Sequence, residues 1–528
     1  MDQYNTKESK IKFLRKLRIG DLNAEDDNYL PEYFYETLDF LEVVSGRKSI
    51  ITGPKGSGKS AIIQILKKKQ GHYPEIPEIA DKILIFIDDP NEVRELNKFT
   101  EAVRSFGKIP DTSDSHNELT HLWEIYIASK IGERFISNNT KYNIDTSKLE
   151  NYLSKLKLYT GDKHDPGIVR NLPKYIKSLG IQLPEGPKGT VEFRAPHENI
   201  EEKEENLRVL LRLIDDVLKD INFTRGEKGK GIIEVWVLFD RVDEIYPWPG
   251  SGNRDNQRQI LGTLMTAYSD FRIHEYIKLK IFIRDDIYDE LPFVNKDHFS
   301  DKVLKIEWDD THLIMLLSKR IQFFLNNGGN GISEQSAVEL FEWLFGKNYE
   351  NPDGSQVSTR DYIFSRLQDG HGNISPRDLL NFVGKAKDSQ IDLYNRKRDN
   401  QGSIIGREAV DFGLKDASSS KLNDYLYNIF RDIREKVEYF RGEEKVKFSR
   451  KDLIEILELE NEDKVLDEAL KQLLDAGFLQ KVGKKSIKRT KFFKVAPIYR
   501  NALDILDPGF GIRGSGFGTE ARGESPRL

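Results

Sequence analysis

The 528-residue sequence has no cysteine, which excludes disulfide bonds, thiolate nucleophiles and cysteine-ligated zinc sites. It also has no apolar run close to the about 18–20 residues that a membrane-spanning helix needs. The charged N-terminal stretch "MDQYNTKESKIKFLRKLRIGD" lacks the apolar segment of a signal peptide. We therefore expect a cytoplasmic protein that makes no contact with a membrane.

Excess positive charge and paired histidines are missing as well. The net charge is −5, so a nucleic-acid contact would have to be local rather than spread over the chain. His116 and His121 are five positions apart and do not share the helical face that a zinc-binding histidine pair requires. These absences leave a glycine-rich loop as the strongest chemical signal.

That loop is "GPKGSGKS", which follows the apolar run "SIIT" and precedes the helical pattern "AIIQILKKK". It matches the phosphate-binding pattern G-x-x-x-x-G-K-[ST], in which glycines let main-chain amides approach a phosphate and the following helix adds its positive end. Lys59 would contact the β- and γ-phosphates, and the Ser60 hydroxyl would bind Mg²⁺. The alternative is an ordinary lysine-bearing turn. We expect the phosphate-binding residues to be Gly53, Pro54, Lys55, Gly56, Ser57, Gly58, Lys59, Ser60 and Ala61.

A second signal is the buried strand "IIEVWVLF" followed by acidic residues. Asp240 ends this strand, where ligands gather in an open parallel sheet, and we expect it to hold Mg²⁺ from a neighbouring strand tip. Glu244 is the first candidate to polarise an attacking water and Asp243 the second. The alternative is that these carboxylates only cap the next helix.

Apolar strands separated by helical segments indicate a parallel sheet with helices on its faces. The fold class we predict is α/β, with a P-loop NTPase core, a large helical insertion, a helical lid and a C-terminal winged-helix domain. The predicted divisions are a lead-in (1–45), the core (46–310) with its insertion (about 100–228), the lid (311–398), a linker (399–419), the winged-helix domain (420–505) and a disordered tail (506–528).

The winged-helix prediction depends on a helix "LNDYLYNIFRDIREKVEYF", a second helix capped by Ser449 and Asp452, a third helix and an alternating segment "KKSIKRTKFFKV". On an alternating strand, Ser486, Lys488 and Thr490 share one face. This basic segment could grip a phosphate backbone through Lys484, Lys485, Lys488 and Arg489. The acidic start of the preceding helix opposes that contact and favours a clamp or a protein-docking role.

Three segments carry a resemblance to a known family. "FDRVDE" resembles the extended acidic motif of the STAND and NACHT branch of AAA+-type ATPases, although Arg241 stands where NACHT proteins usually have a small residue. "KIFIRDDIYDEL" is similar to the sensor strand of that branch, which ends in an arginine, here Arg284. "ISPRDLLNFV" resembles the second sensor in the lid of bacterial P-loop ATPases often encoded beside anti-phage genes, with Arg377 as its arginine. The alternative for both arginines is a surface ion pair.

The resemblance implies an ATPase that binds ATP and Mg²⁺ and acts as a molecular switch in anti-phage defence. It would regulate or assemble with a separate effector protein, and it could form a homo-oligomer. The alternative function is a DNA-engaging AAA+ ATPase of the initiator or loader type, which would use the basic winged helix.

Overall fold

The computed structural model describes residues 4, 6–20, 23–69, 79, 81–88, 113–162, 200–227, 232–242, 253–293, 296–326, 333–350, 354–396, 402–459, 463–483 and 485–505. Within these residues no helix combines the length and the apolar composition needed to span a bilayer. The chain divides into two compact units. We call residues 36–307 the core unit, and residues 1–35 with 308–528 the helical unit.

The elements as far as residue 305 are, in chain order, α1 (Lys7–Lys16), α2 (Leu30–Tyr33), α3 (Leu38–Val44), β1 (Ile50–Gly53), α4 (Lys59–Lys69), β2 (Lys82–Ile87), α5 (Ser113–Ser137), α6 (Asn139–Tyr142), α7 (Ser147–Lys155), α8 (Ile200–Glu227), β3 (Glu234–Phe239), α9 (Asn253–Phe271), β4 (Ile277–Arg284), α10 (Asp285–Glu290), a 3₁₀ turn (Lys296–Phe299) and β5 (Val303–Lys305).

The remaining elements are α11 (Asp310–Asn326), α12 (Glu334–Phe345), β6 (Asn348–Glu350), β7 (Gln356–Ser358), α13 (Thr359–Leu367), α14 (Pro376–Asn395), α15 (Arg407–Ser420), a π-helical segment (Lys421–Leu426), α16 (Tyr427–Ile429), a 3₁₀ turn (Arg431–Ile433), α17 (Arg434–Glu438), β8 (Lys447–Ser449), α18 (Arg450–Ile456), α19 (Asp463–Asp475), β9 (Leu479–Lys481), a 3₁₀ turn (Ile487–Arg489), β10 (Phe492–Val495) and α20 (Pro497–Arg500).

The core unit is built on a five-stranded sheet in the order β2-β3-β4-β1-β5, and every described pairing in it is parallel. The three middle strands are almost wholly buried, which explains their near-continuous apolar sequences. This sheet, with the glycine loop between β1 and α4, confirms the predicted P-loop NTPase core.

Helices of the predicted insertion contribute to the core of this sheet. Trp123 in α5 packs its ring 6.1 Å from that of Phe239 in β3. Its indole Nε1 donates to the carbonyl oxygen of Ile260 in α9 at 3.0 Å. The buried face of α8 follows helical spacing, as a surface helix on a core requires, through Leu207, Leu210, Ile214, Val217, Leu218 and Ile221. The described part of the insertion is therefore helical, as predicted, and it helps to cover the sheet.

The helical unit contains the segment that was predicted as a linker, and part of that prediction is wrong. Residues 407–420 form α15, whose apolar face is buried against α14. The two helices cross so closely that a Cβ on Gly413 would lie 2.7 Å from the Cβ of Ala386. Residues 1–35 belong to the same unit, where buried Lys10 of α1 donates to the carbonyl oxygen of Ser403 at 2.9 Å.

The end of the helical unit forms the predicted winged helix, an antiparallel sheet β8-β10-β9 packed on helices. Its predicted cap is confirmed, because Ser449 Oγ accepts from the Asp452 amide at 3.2 Å and the Asp452 carboxylate accepts from the Ser449 amide at 2.6 Å. The single helix predicted over residues 422–440 is wrong, since that stretch is divided into π-helical, 3₁₀ and short α-helical pieces.

The alternating strand predicted after Gly483 is also wrong over most of its length. Residues 487–489 form a 3₁₀ turn, and only Phe492–Val495 is a strand. The cause is Thr490, which is buried and donates its hydroxyl to the carbonyl oxygens of Lys485 and Ser486 at 3.2 and 2.9 Å. These bonds fold the segment back on itself, so its side chains do not alternate between two faces.

Candidate functional site

The glycine loop has the backbone that a phosphate cradle requires. Gly56 and Gly58 have φ values of 90° and 100°, in the left-handed region where a side chain is strained. A Cβ on Gly53 would lie 2.7 Å from Ser57 Oγ. The loop and the first turn of α4 therefore form a tight curve in which the three glycines add no side chain, and such a curve suits an anion.

Lys59 places its ammonium group inside this curve. Its Nζ donates to the main-chain oxygens of Gly53 and Pro54 at 2.6 and 3.0 Å, and Ser57 Oγ lies 3.5 Å away. These are neutral acceptors, and a phosphate oxygen would form stronger, charge-assisted hydrogen bonds with the same group. Ser60 follows directly in α4, with its residue partly exposed.

The strand order decides which groups stand beside the loop. β4 lies between β1 and β3, so the expectation that Asp240 comes from a neighbouring strand is wrong. Gly53 is instead the register partner of Arg284. The strand that ends at Asp240 is two spacings from β1, or about 10 Å. The sequence could not reveal this order, because the motifs themselves carry no information on strand pairing.

Arg284 is held by a carboxylate two residues further on. Its Nε and Nη2 donate to Asp286 Oδ1 and Oδ2 at 3.0 and 2.5 Å, a two-bond pairing of guanidinium and carboxylate. The arginine side chain is only 14% exposed. It is therefore ion-paired, as the alternative interpretation proposed, but it is not on the open surface.

Asp240 lies buried at the end of β3, and its amide donates to the carbonyl oxygen of Ile87 at 3.1 Å. The next residue, Arg241, has a φ of 55°, so the chain turns sharply after the strand. A second buried carboxylate, Asp88, follows the adjacent strand β2 and forms a salt bridge with Lys67 of α4 at 2.5 Å. No motif in the sequence singles out Asp88, and its position at the end of "KILIFID" is the one signal for it there.

The other predicted residues fall elsewhere. Asp243, Glu244 and Lys484 lie outside the described residues. Arg377 is the second residue of α14 and belongs to the helical unit. Its Nε is buried without a hydrogen-bond acceptor, and it forms no salt bridge with any described residue. Its cation is thus not neutralised by the described part of the chain.

The donor set fits a hard cation better than a transition metal. Ser60 and Asp240 offer oxygen atoms, and Mg²⁺ is usually held by one or two protein oxygens together with substrate phosphates. Across the described ranges no group of three or more histidine, aspartate and glutamate side chains could enclose a metal by itself. A cavity of about 430 Å³ beside β2, lined by Lys67, Asp88, Lys130 and Arg134 among others, includes no residue of the glycine loop.

No protein-family model matches the chain. No curated protein matches it in sequence. Among solved structures it is similar to Cdc6p from Pyrobaculum aerophilum, with 12% identity over 89% of this chain and 95% of that chain and a TM-score of 0.28. It is also similar to Drosophila ORC bound to DNA, with 10% identity, coverage of 95% and 93%, and a TM-score of 0.27. TM-scores this low carry no evidence about function, and the fold follows from the sheet and loop of this chain.

Proposed function

We propose that the protein is an ATP-binding and ATP-hydrolysing switch of the AAA+ type. One observation carries this proposal: a glycine loop and a helix N-terminus stand at the carboxyl edge of a parallel sheet, the same edge at which β4 ends in Arg284 and β3 leads to Asp240. That edge is where open α/β sheets bind their ligands. A triphosphate, a cation site and a charge sensor can therefore share one face.

Each residue has a role in this scheme. Lys59 exchanges its two carbonyl acceptors for β- and γ-phosphate oxygens, and the glycine-loop amides bind the remaining oxygens. Ser60 and Asp240 would hold Mg²⁺, which neutralises phosphate charge when bound. Glu244 orients and polarises the attacking water, with Asp243 as the second candidate. Arg284 and Arg377 respond to the γ-phosphate.

The biological setting we propose is regulation of a separate effector in anti-phage defence, and it follows from the STAND-like segments alone. "FDRVDE" and "ISPRDLLNFV" support it by resemblance. Release of the γ-phosphate would change what Arg377 binds, and this would bias the helical unit between two states.

The test is nucleotide binding by Lys59→Ala, with Lys68→Ala as a matched control because Lys68 is an exposed lysine of the same helix. Calorimetry with Mg²⁺ and ATP should show binding by the wild type and the control, and none by Lys59→Ala. Glu244→Gln should bind ATP but turn it over slowly. Wild-type turnover by Glu244→Gln would remove that residue from its role, and ATP binding by Lys59→Ala would overturn the proposal.

A second candidate function is nucleic-acid binding by the winged helix. We define its basic surface as Lys447, Lys481, Lys485, Lys488, Arg489, Lys491 and Lys494. None of these residues forms a salt bridge within the described ranges. Phe492 is 40% exposed among them, with the ammonium of Lys447 4.3 Å from its ring centroid. Cations beside an exposed aromatic ring can bind phosphates and a base together.

The sheet part of the basic surface faces away from the acidic helix, whereas the 3₁₀ turn that carries Lys488 and Arg489 contacts that helix. Leu466, Leu470 and Leu473 of α19 pack in one cluster with Phe448 and Phe493 of the sheet. Phe492 and Lys494 alternate with Phe493 along β10, so they point to the opposite face. The acidic start of α19 therefore does not lie on the face that presents Phe492.

Fluorescence anisotropy with short DNA at two salt concentrations tests this candidate. Reversing the charge of Lys484, Lys485, Lys488 and Arg489 should abolish binding, and affinity of the wild type should fall steeply with salt. The control variant reverses four exposed lysines at other places, Lys347, Lys385, Lys415 and Lys451. Equal binding by the two variants would exclude the basic surface as the binding site.

A further inference from the structure

A buried lysine lies at the junction of the winged helix and α14. Lys421 is 7% exposed, and its Nζ donates to Asp378 Oδ2 in the first turn of α14 at 2.7 Å. The ring of Tyr425 lies 4.1 Å from the same ammonium. Burial alone would lower the pKa of Lys421, but the Asp378 carboxylate, together with Tyr425 and Asp369, outweighs it and holds the pKa above its usual value. The Lys421 ammonium is therefore charged and largely shielded from water.

The two partners of this salt bridge belong to different parts of the helical unit. Lys421 begins the π-helical segment, whose Leu422 and Leu426 are buried in the core of the winged helix. Asp378 is the third residue of α14, and its carboxylate also accepts from the Ser375 hydroxyl at 2.7 Å. One ammonium thus connects the winged-helix core with the helix end that carries Arg377. π-Helical turns are rare and occur often at functional sites.

Other contacts hold the loop before α14 against the winged helix. The Gly370 amide donates to the carbonyl oxygen of Gly477 at 2.7 Å, and a Cβ on Gly370 would lie 2.4 Å from the carbonyl oxygen of Leu479. The Ile498 amide donates to the carbonyl oxygen of Gln368 at 3.2 Å. The Asp369 carboxylate accepts from two amides of its own loop at 2.9 Å. The winged helix and the start of α14 therefore form a continuous packed structure.

Arg377 directly precedes Asp378 in this structure. Asp378 is occupied by Lys421 and Ser375, so it does not pair with the neighbouring arginine. Without the lysine, a largely buried carboxylate would stand next to Arg377 with no cation of its own, and such a charge is costly. The arginine would then be drawn into an ion pair within its own helix turn.

We propose that Lys421 is a positioning residue for Arg377: it holds Asp378 away from the arginine and transmits the arginine's position to the winged helix. The nucleotide part of this inference rests on the proposed function, in which Arg377 responds to a γ-phosphate. The mechanical part, namely that Lys421 joins the first turn of α14 to the winged helix, does not depend on the proposed function. It requires only that the first turn of α14 and the winged helix lose their common anchor when the lysine is removed.

The first experiment compares Lys421→Met with Lys10→Met, which removes another lysine of the helical unit that is also 7% exposed and bound to a carbonyl oxygen. Hydrogen exchange should speed up at residues 377–379 and 477–481 in Lys421→Met and stay at wild-type rates there in Lys10→Met. Unchanged protection in Lys421→Met overturns the mechanical part. If that variant does not fold, Asp378→Asn removes the same ion pair with a smaller change and must give the same pattern.

The second experiment measures affinity for a non-hydrolysable ATP analogue relative to ADP. Arg377→Ala should lower this ratio about tenfold, which corresponds to the loss of about 1.4 kcal/mol. Lys421→Met should lower it similarly, and the double variant should show no further decrease. A wild-type ratio in Lys421→Met, beside a lowered ratio in Arg377→Ala, overturns the positioning role. A wild-type ratio in Arg377→Ala refutes the sensor role in the proposed function, and hydrogen exchange then decides the mechanical part alone.

Discussion

Two arginines of this chain look alike in sequence and differ in structure. Arg284 and Arg377 each begin an acidic run, "RDD" in the core unit and "RD" in the helical unit. Arg284 pairs with the carboxylate two residues on, Asp286. The carboxylate beside Arg377 is instead bound by Lys421, which lies 43 residues away.

This difference shows that local charge order does not decide which ions pair. Both arginines are near a helix N-terminus and next to carboxylates, so a sequence argument treats them alike. In the helical unit, the distant Lys421 binds the Asp378 carboxylate, so this carboxylate does not pair with Arg377. We therefore call Arg284 the attenuated arginine, because Asp286 balances its charge, and Arg377 the available arginine, because its charge can still bind an anion.

The largest expected effect is the loss of turnover on removing the available arginine. Arg377→Ala should reduce ATP turnover by about 10²–10³, the usual result of removing one charge-stabilising group. Arg284→Ala should cost about tenfold, because its charge is already balanced by Asp286. Steady-state kinetics check both values, with the half-exposed Arg360→Ala as a control from the helical unit. Equal losses for the two arginines would contradict the comparison.

The next effect concerns the packing of α15 against α14 in the helical unit, where the substitution changes no charge. Gly413→Ala places a Cβ 2.7 Å from the Cβ of Ala386 and 2.8 Å from its amide nitrogen, so α14 and α15 must separate. Overpacking of this kind costs about 1–3 kcal/mol. Thermal unfolding should show the loss, while ADP affinity stays at the wild-type value. A matching loss of ADP affinity would mean that this crossing also supports the nucleotide site.

A smaller effect is expected on releasing the attenuated arginine. Asp286→Asn removes the charge that holds Arg284 and should raise affinity for a triphosphate by up to about tenfold. Asp289→Asn, in the same short helix, serves as the control. Titration with a non-hydrolysable ATP analogue measures the change. Lower affinity in Asp286→Asn would indicate that the pair supports binding instead of competing with it.

A last effect, which accumulates gradually with pH, concerns acidity in the core unit. Burial, together with Asp270 and Glu204, raises the pKa of Glu124 to about 8. His121 Nδ1 lies 4.0 Å from Glu124 Oε2 on the same helix. Between its ordinary pKa and about 8 the folded state holds a proton that the unfolded state has lost, so stability falls as pH rises through that window. For a difference of one full proton, the free energy of unfolding falls by at most about 1.4 kcal/mol for each pH unit.

Glu124→Gln should make the free energy of unfolding depend less on pH. From pH 5 to pH 8, the unfolding temperature of the variant should therefore rise relative to that of the wild type. The amide of glutamine can still donate a hydrogen bond to Asp270. Glu205→Gln, an exposed change on α8, is the control. Parallel pH curves for wild type and Glu124→Gln would exclude a protonated Glu124 in the folded state.

Much of the core unit could be predicted from short stretches of sequence. The glycine loop, the strands around it and the strand-end positions of Asp240 and Arg284 follow from composition and period. The order of the strands does not, because β4 enters between β1 and β3 through pairings that no motif encodes. Asp88 was missed for a related reason, since its partner Lys67 becomes visible only when α4 lies beside β2.

The helical unit was less predictable because its decisive contacts are distant in sequence. The winged helix and the Ser449 cap followed from local pattern. The linker and the alternating hairpin were wrong where α14 buries α15 and where the Thr490 hydroxyl bends the chain.

The sequence by itself determined the tight turns of the glycine loop, since only glycine adopts those torsions without strain and only the residues of the loop are involved. The tertiary structure determined which charged side chains of this protein are neutralised by an ion pair and which remain able to bind other groups. The reason is physical: a buried ion takes the partner that folding brings within about 3 Å, and that partner need not be its neighbour along the chain.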